Sequence, residues 1–196
     1  MDQAPRRPAA RVSAARDMLD GCDRFEPGSR DAIRALIPPE HLRVFDACSA
    51  ISWLDVEHDH WIMDALVGHF GRDRARECVR QALVGMVHRP LFRSLVEPAL
   101  RLFAGRPGSI AALLPRAWPL AYRDFCTPSF ARLGPGSARL VLDGIAPQAF
   151  ISEGYLVTWH GICLGALDIE RLRDPAVRFQ VDRPQARAVA TFSWRE

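Results

Sequence analysis

Five potential metal ligands fall within six residues at Asp55, Glu57, His58, Asp59 and His60. Carboxylate oxygens and imidazole nitrogens at such density are the donor types that hold a divalent cation. The same run stands immediately before Trp61 and an apolar helical pattern, where carboxylates favour the positive end of a helix dipole and Asp59 or His58 suits the capping turn. The helix-start reading is the stronger, and no metal is assigned. His160 and Cys163 stand three residues apart on one expected helix and imitate a base with its nucleophile. No third group orients the histidine, and cysteine is among the most often buried residue types, so Cys163 is read as core. Ser152, Glu153 and Thr158 add hydroxyls and a carboxylate without setting an acid and a base apart. There is no GxGxxG, Walker or GxSxG motif, and Gly134-Pro135-Gly136 reads as a hairpin turn. No catalytic residue and no cofactor is assigned, and the chain is not expected to be an enzyme.

Binding is better served than catalysis. Trp118, Tyr122, Tyr155 and Trp159 are candidates for lining an apolar pocket between a helix and a sheet, although large aromatics also dominate ordinary cores. Beside them, Gly154, Thr158, Gly161 and Gly165 recur at helical spacing between Pro147 and Leu172. Each interior glycine costs a helix roughly 0.5 to 1 kcal/mol relative to alanine, so the stripe implies that something approaches that face closely. Packing on a sheet is the preferred reading, followed by a self-association face and then ligand approach. The last places Gly161 and Gly165 among the candidate ligand-binding residues.

The elements that must position these residues follow from periodicity. Residues 1–26 are read as a flexible tail, in which Arg11 to Leu19 could form a short helix with little apolar surface. Two short helices should meet at Pro38-Pro39. Trp61, Ala65, Leu66 and Phe70 share a face that ends at Gly71, and Ala75, Cys78, Val79, Ala82, Leu83, Met86 and Val87 form the stripe of the next helix, with Asp73 as its cap. Leu91 to Phe103 predicts another helix, Gly105 to Gly108 a turn, and Ile110 to Tyr122 helical pieces broken by Pro115 and Pro119. The period then changes. Phe130 to Leu142 predicts a hairpin about Gly134-Pro135-Gly136, Pro147 opens the glycine-striped helix, and Val177 to Trp194 predicts a second hairpin about Arg183-Pro184-Gln185. The expected fold is α+β: an N-terminal helical layer packed with a four-stranded antiparallel sheet, residues 27–196 forming one domain.

A chain of 196 residues, 48% of them apolar, can bury a real core. All 26 basic residues are arginine and are scattered among 23 acidic ones, so the net charge of +3 supports no nucleic-acid partner. Five cysteines without a CxxC pair suggest neither a disulfide framework nor a thiolate zinc site. The chain lacks a secretory apolar core and any run of 18 apolar residues, which predicts a cytoplasmic protein with no membrane span.

Across Ile37 to Trp194 the chain resembles a group of myxobacterial proteins of about this length. The resemblance rests on Leu113-Leu114-Pro115-Arg116, Trp118 and Tyr122, then a hairpin, a glycine-bearing helix and a strand closing on Trp194. More distantly, the hairpin, helix, hairpin order resembles the 4-vinyl-reductase-type regulatory domain, the haem nitric-oxide sensor domain and the trafficking-particle subunit fold. The haem sensors' Tyr-x-Ser-x-Arg motif is not matched by Tyr122-Arg123-Asp124-Phe125-Cys126 or by Tyr155-Leu156-Val157-Thr158-Trp159, which argues against haem despite His69, His88 and His160. Cys126 and Cys163 are isolated, unlike the cysteine cluster of the reductase relatives. What the resemblance implies is a regulatory or sensory domain with room for a small apolar ligand. The alternatives are a dimeric protein-interaction or scaffolding subunit and, third, an enzyme of unknown class.

Overall fold

Two antiparallel sheets and seven α-helices make up the described residues of the computed structural model, which are 7–86, 89, 93, 97–98, 108–150, 152–170 and 172–195. The helix expected from Leu91 to Phe103 falls almost wholly outside them, as do His88, Val87 and most of the 105–108 turn.

Strand β1 (Ala9–Arg11) leads into α1 (Val12–Phe25). Within the segment expected as a tail, α1 instead buries Val12, Ala15, Met18, Leu19 and Cys22 on one stripe. Only Val12, Met18 and Leu19 give that stripe apolar bulk, and Ala15, Gly21 and Cys22 between them weaken its periodicity in the sequence. Helices α2 (Ser29–Ala35) and α3 (Pro39–Ala47) meet at the proline pair as the sequence predicts. After β2 (Trp53–Asp55) come α4 (Val56–Phe70) and α5 (Arg72–Met86), parted by Gly71 at a φ of 74°. Asp73 is not a cap: it lies inside the first turn of α5 and pairs with Arg76. Trp61 departs from the expected core face, for it is exposed and stacks on His41.

A 3-10 turn (Ala111–Leu113) runs into α6 (Leu114–Ala121), which is followed by β3 (Tyr122–Arg123). Strand β1 pairs with both β2 and β3, giving a three-stranded sheet, β2-β1-β3, that the periodicity did not foresee. The expected sheet forms from β4 (Thr127–Gly134), β5 (Ser137–Asp143), β6 (Arg173–Asp182) and β7 (Arg187–Arg195) in the order β4-β5-β7-β6. Alternation holds along its strands: Ala138, Leu140 and Leu142 of β5 and Ala188, Ala190, Phe192 and Trp194 of β7 point inward. Between the hairpins runs α7 (Glu153–Ile169). Its start differs from expectation, because Pro147–Phe150 forms a separate 3-10 turn and Ser152 is the N-cap, its Oγ accepting from the Tyr155 N–H at 3.4 Å.

The glycine stripe of α7 faces helices rather than the sheet. A Cβ at Gly154 would lie 2.3 Å from the Met63 carbonyl carbon of α4, and one at Gly161 or Gly165 would lie 2.7 Å from the Arg76 or Arg80 carbonyl oxygen of α5. Arg80 of α5 then clasps Asp168 of α7 through two hydrogen bonds of 2.5 and 2.8 Å. Toward the sheet, α7 presents His160, whose ring stacks on Phe179 at 5.5 Å and whose Nε2 donates to the Val177 carbonyl at 3.3 Å. Burial and the neighbouring Arg76 lower the His160 pKa, favouring this neutral form.

Candidate functional site

Where α1, α4, α5, α6 and α7 converge, the side chains leave a partly open cavity of about 90 Å³. Its wall is overwhelmingly apolar: Met18 and Ala15 come from α1, Leu83 and Met86 from α5, Leu114 and Ala117 from α6, and Ile162 and Ala166 from α7. The small residues follow from helix packing, since alanines at Ala15, Ala117 and Ala166 keep these helices from filling the space between them. No described residue of the four-stranded sheet lines it. The expected helix–sheet pocket is therefore corrected to a cavity among helices, because α7 turns its stripe to α4 and α5 and closes off the sheet.

The four aromatic candidates do come together. Trp118 packs on Tyr122 and Trp159 at 4.8 and 5.4 Å, and Tyr155 stacks on Trp159 at 5.7 Å. Only Trp118 and Tyr122 reach the cavity wall; Tyr155 and Trp159 lie fully buried behind it, and Gly161 and Gly165 are spent on contact with α5. From the stripe, Thr158 lines the cavity.

Among the described polar residues of the wall, which include Arg11, Tyr122 and Thr158, the one acid is Asp59. Position 59 lies on the inward stripe of α4 with Val56, Met63 and Leu66, and its carboxyl is 1% exposed. Oδ2 accepts the Tyr155 hydroxyl at 2.7 Å, whereas Oδ1 has no hydrogen-bond partner. Burial pushes the carboxyl up to about 6 against the opposing effect of that hydrogen bond. Burial and the charge of Asp59 likewise raise both Tyr122 and Tyr155, so the two phenols stay protonated. The rest of the acidic and histidine run disperses, as consecutive helical residues must. His58 meets His41 with ring nitrogens 2.8 Å apart, His60 meets Asp64 at 3.2 Å, and Glu57 is exposed beside Arg7. No group of three metal-binding side chains converges among the described residues. Cys163 is buried, with its thiol pushed up to about 12 by desolvation, and His160 turns away to the sheet. Cys22 and Cys78, 56 positions apart in the chain, place their sulfurs 3.1 Å from each other in the core.

No family sequence profile and no characterised protein sequence matches the chain. Solved structures do. The chain is similar to an oxygen-binding H-NOX domain related to soluble guanylate cyclases (TM-score 0.58, 10% identity, 95% of each chain covered). It is similar to the Fe(II) unliganded H-NOX protein from K. algicida (TM-score 0.57, 11% identity, 95% of this chain and 97% of that one). A third likeness is to an H-NOX mutant from T. tengcongensis (TM-score 0.56, 9% identity, 95% and 98% covered). The chain thus has the H-NOX fold.

Haem is the group studied in other H-NOX structures of this fold. The described residues here do not fit it. Among the described cavity-lining residues there is no histidine or cysteine, and the haem-ligating types that do line it are Met18, Met63, Met86 and Tyr122. His41, His58, His60, His69 and His160 are committed elsewhere or lie away from the wall, and His88 is outside the described residues. The cavity is also well below the roughly 300 to 1,000 Å³ of sites for larger ligands. No helix among the described residues is long and apolar enough to cross a membrane.

Proposed function

We propose that the chain is a non-enzymatic regulatory or sensory domain that takes a small apolar ligand in the cavity among α1, α4, α5, α6 and α7. The observation that carries this reading is the apolar wall itself, contributed by five helices that meet without filling the space. An engineered cavity of about 150 Å³ in another protein stays dry and admits benzene or xenon, so the smaller cavity here, about 90 Å³, suits a ligand of a few heavy atoms. Met18, Met63 and Met86 give this wall flexible, polarisable side chains that can adjust to the ligand's shape. The H-NOX fold is compatible with sensing, and the helices around the cavity are the elements whose packing a ligand would shift.

Saturating cyclopentane is expected to raise the melting temperature of the parent protein by mass action, and Ala117→Leu, which fills the wall from α6, should remove that shift. A cyclopentane effect equal in parent and variant would reject the cavity as the site.

A further inference from the structure

We propose that the ligand is an apolar amine whose N–H group is accepted by Asp59 Oδ1. The proposal rests on the reading of the cavity as a ligand site and deepens it. Asp59 is the acid in the wall, is 1% exposed and has one oxygen engaged by Tyr155 while the other has no partner. A buried acceptor without a donor is costly, about 1 to 3 kcal/mol and more when charged, so its persistence in a residue that lines the cavity points to a donor that arrives from outside. The contrast on the same helix is direct. Asp64 Oδ1 accepts both the Ser152 hydroxyl at 2.7 Å and the Gly154 N–H at 3.1 Å, and Asp64 Oδ2 lies 3.2 Å from the His60 ring.

The chemistry of the surroundings narrows the ligand. Among the described residues no cation pairs with Asp59. Arg11 lines the cavity, but its guanidinium donates to the Ile51 and Leu120 carbonyls and lies 3.9 Å over Trp53. Thr158 Oγ1 is turned to the Met63 sulfur at 3.5 Å. Tyr155 from α7 and Tyr122 from β3 face Asp59 as neutral phenols. An ammonium group would therefore supply both the missing donor and the missing counter-charge, and a short hydrocarbon body would rest against Met18, Ile162 and Ala166.

The test uses n-butylamine as donor probe, 2-butanone as acceptor-only probe of similar size, and xenon as probe of the apolar space, all titrated into the full chain. The parent should bind butylamine at least about 10-fold more tightly than 2-butanone at pH 7.5. Lowering the pH to 5 protonates Asp59, which turns the acceptor into an O–H donor, and should weaken butylamine by about 10-fold while 2-butanone holds or tightens. Asp59→Asn replaces the acceptor with an amide donor and should invert the preference. If xenon binds but the two probes bind the parent equally, or butylamine affinity is flat with pH, the amine proposal is overturned while the cavity reading stands. If xenon and both probes fail to bind the parent, the cavity reading itself falls. The parent measurements decide the matter even if Asp59→Asn does not fold.

Discussion

Gly154→Ala is expected to cost about 3 kcal/mol or more, or to prevent folding. A single added methyl group would sit 2.3 Å from the Met63 carbonyl carbon, 2.5 Å from its oxygen and 2.7 Å from the Asp64 nitrogen. All three atoms are backbone of α4, so no side chain can rotate away and the two helices must separate. Separation would also strain the Asp64 bridge that receives Ser152 Oγ and the Gly154 N–H. Overpacking in a rigid setting of this kind typically costs about 1 to 3 kcal/mol and exceeds that when backbone must move. Gly161→Leu meets the Arg76 carbonyl oxygen and Val79 and belongs at about 1 to 3 kcal/mol or more on the same scale. Gly68→Ala supplies the contrast. It lies within α4, meets nothing nearer than Leu36 at 3.8 Å, and should be neutral or stabilise by up to about 1 kcal/mol through helix propensity. Urea unfolding of the variants measures the difference. Gly154→Ala matching Gly68→Ala would refute the close approach of α7 to α4.

Asp59→Asn is expected to remove a stability loss of about 2 kcal/mol that the parent suffers between pH 4 and pH 7. An unfolded aspartate titrates near about 4, whereas the folded carboxyl is pushed up to about 6 by burial. Between those values the folded protein holds a proton that the unfolded chain has shed. The contribution is thus fully favourable below pH 4 and declines as pH rises through 6, at about 1.4 kcal/mol per unit. Asparagine has no such proton and can still accept the Tyr155 hydroxyl through its own oxygen. Chemical denaturation at pH 4, 5.5 and 7 should show the variant gaining on the parent by about 2 kcal/mol across the window. Parallel profiles would mean that Asp59 titrates as an ordinary solvated carboxylate.

These two residues also mark how much the sequence disclosed. The second hairpin was readable from the strict alternation of Val177, Phe179 and Val181, and the first from the glycines flanking Pro135. Helices α4 and α5 were readable because their apolar residues recur every three or four positions. The three-stranded sheet was not, since strands of two or three residues carry no period and β1 pairs with partners more than 40 positions away. The stripe of Gly154, Gly161 and Gly165 announced a close neighbour without naming it, because a sheet and a helix backbone both require the same absent side chain. Of the four aromatics, Trp118 and Tyr122 line the cavity while Tyr155 and Trp159 are core, a difference that residue type alone does not carry. Asp59 was taken as part of a helix start. Its signal was positional: it occupies the buried stripe of Val56, Met63 and Leu66, where an acidic residue is uncommon.

The central claim is that five helices meet around a partly open, largely apolar space of about 90 Å³ that admits a small ligand and is too small for haem. A crystal of the protein equilibrated under xenon pressure tests it most directly. The claim predicts a xenon atom in van der Waals contact with Met18, Leu114 and Ile162 and within reach of the Asp59 carboxyl. Helices closed upon one another with no xenon peak there, or haem found seated in that space, would contradict it.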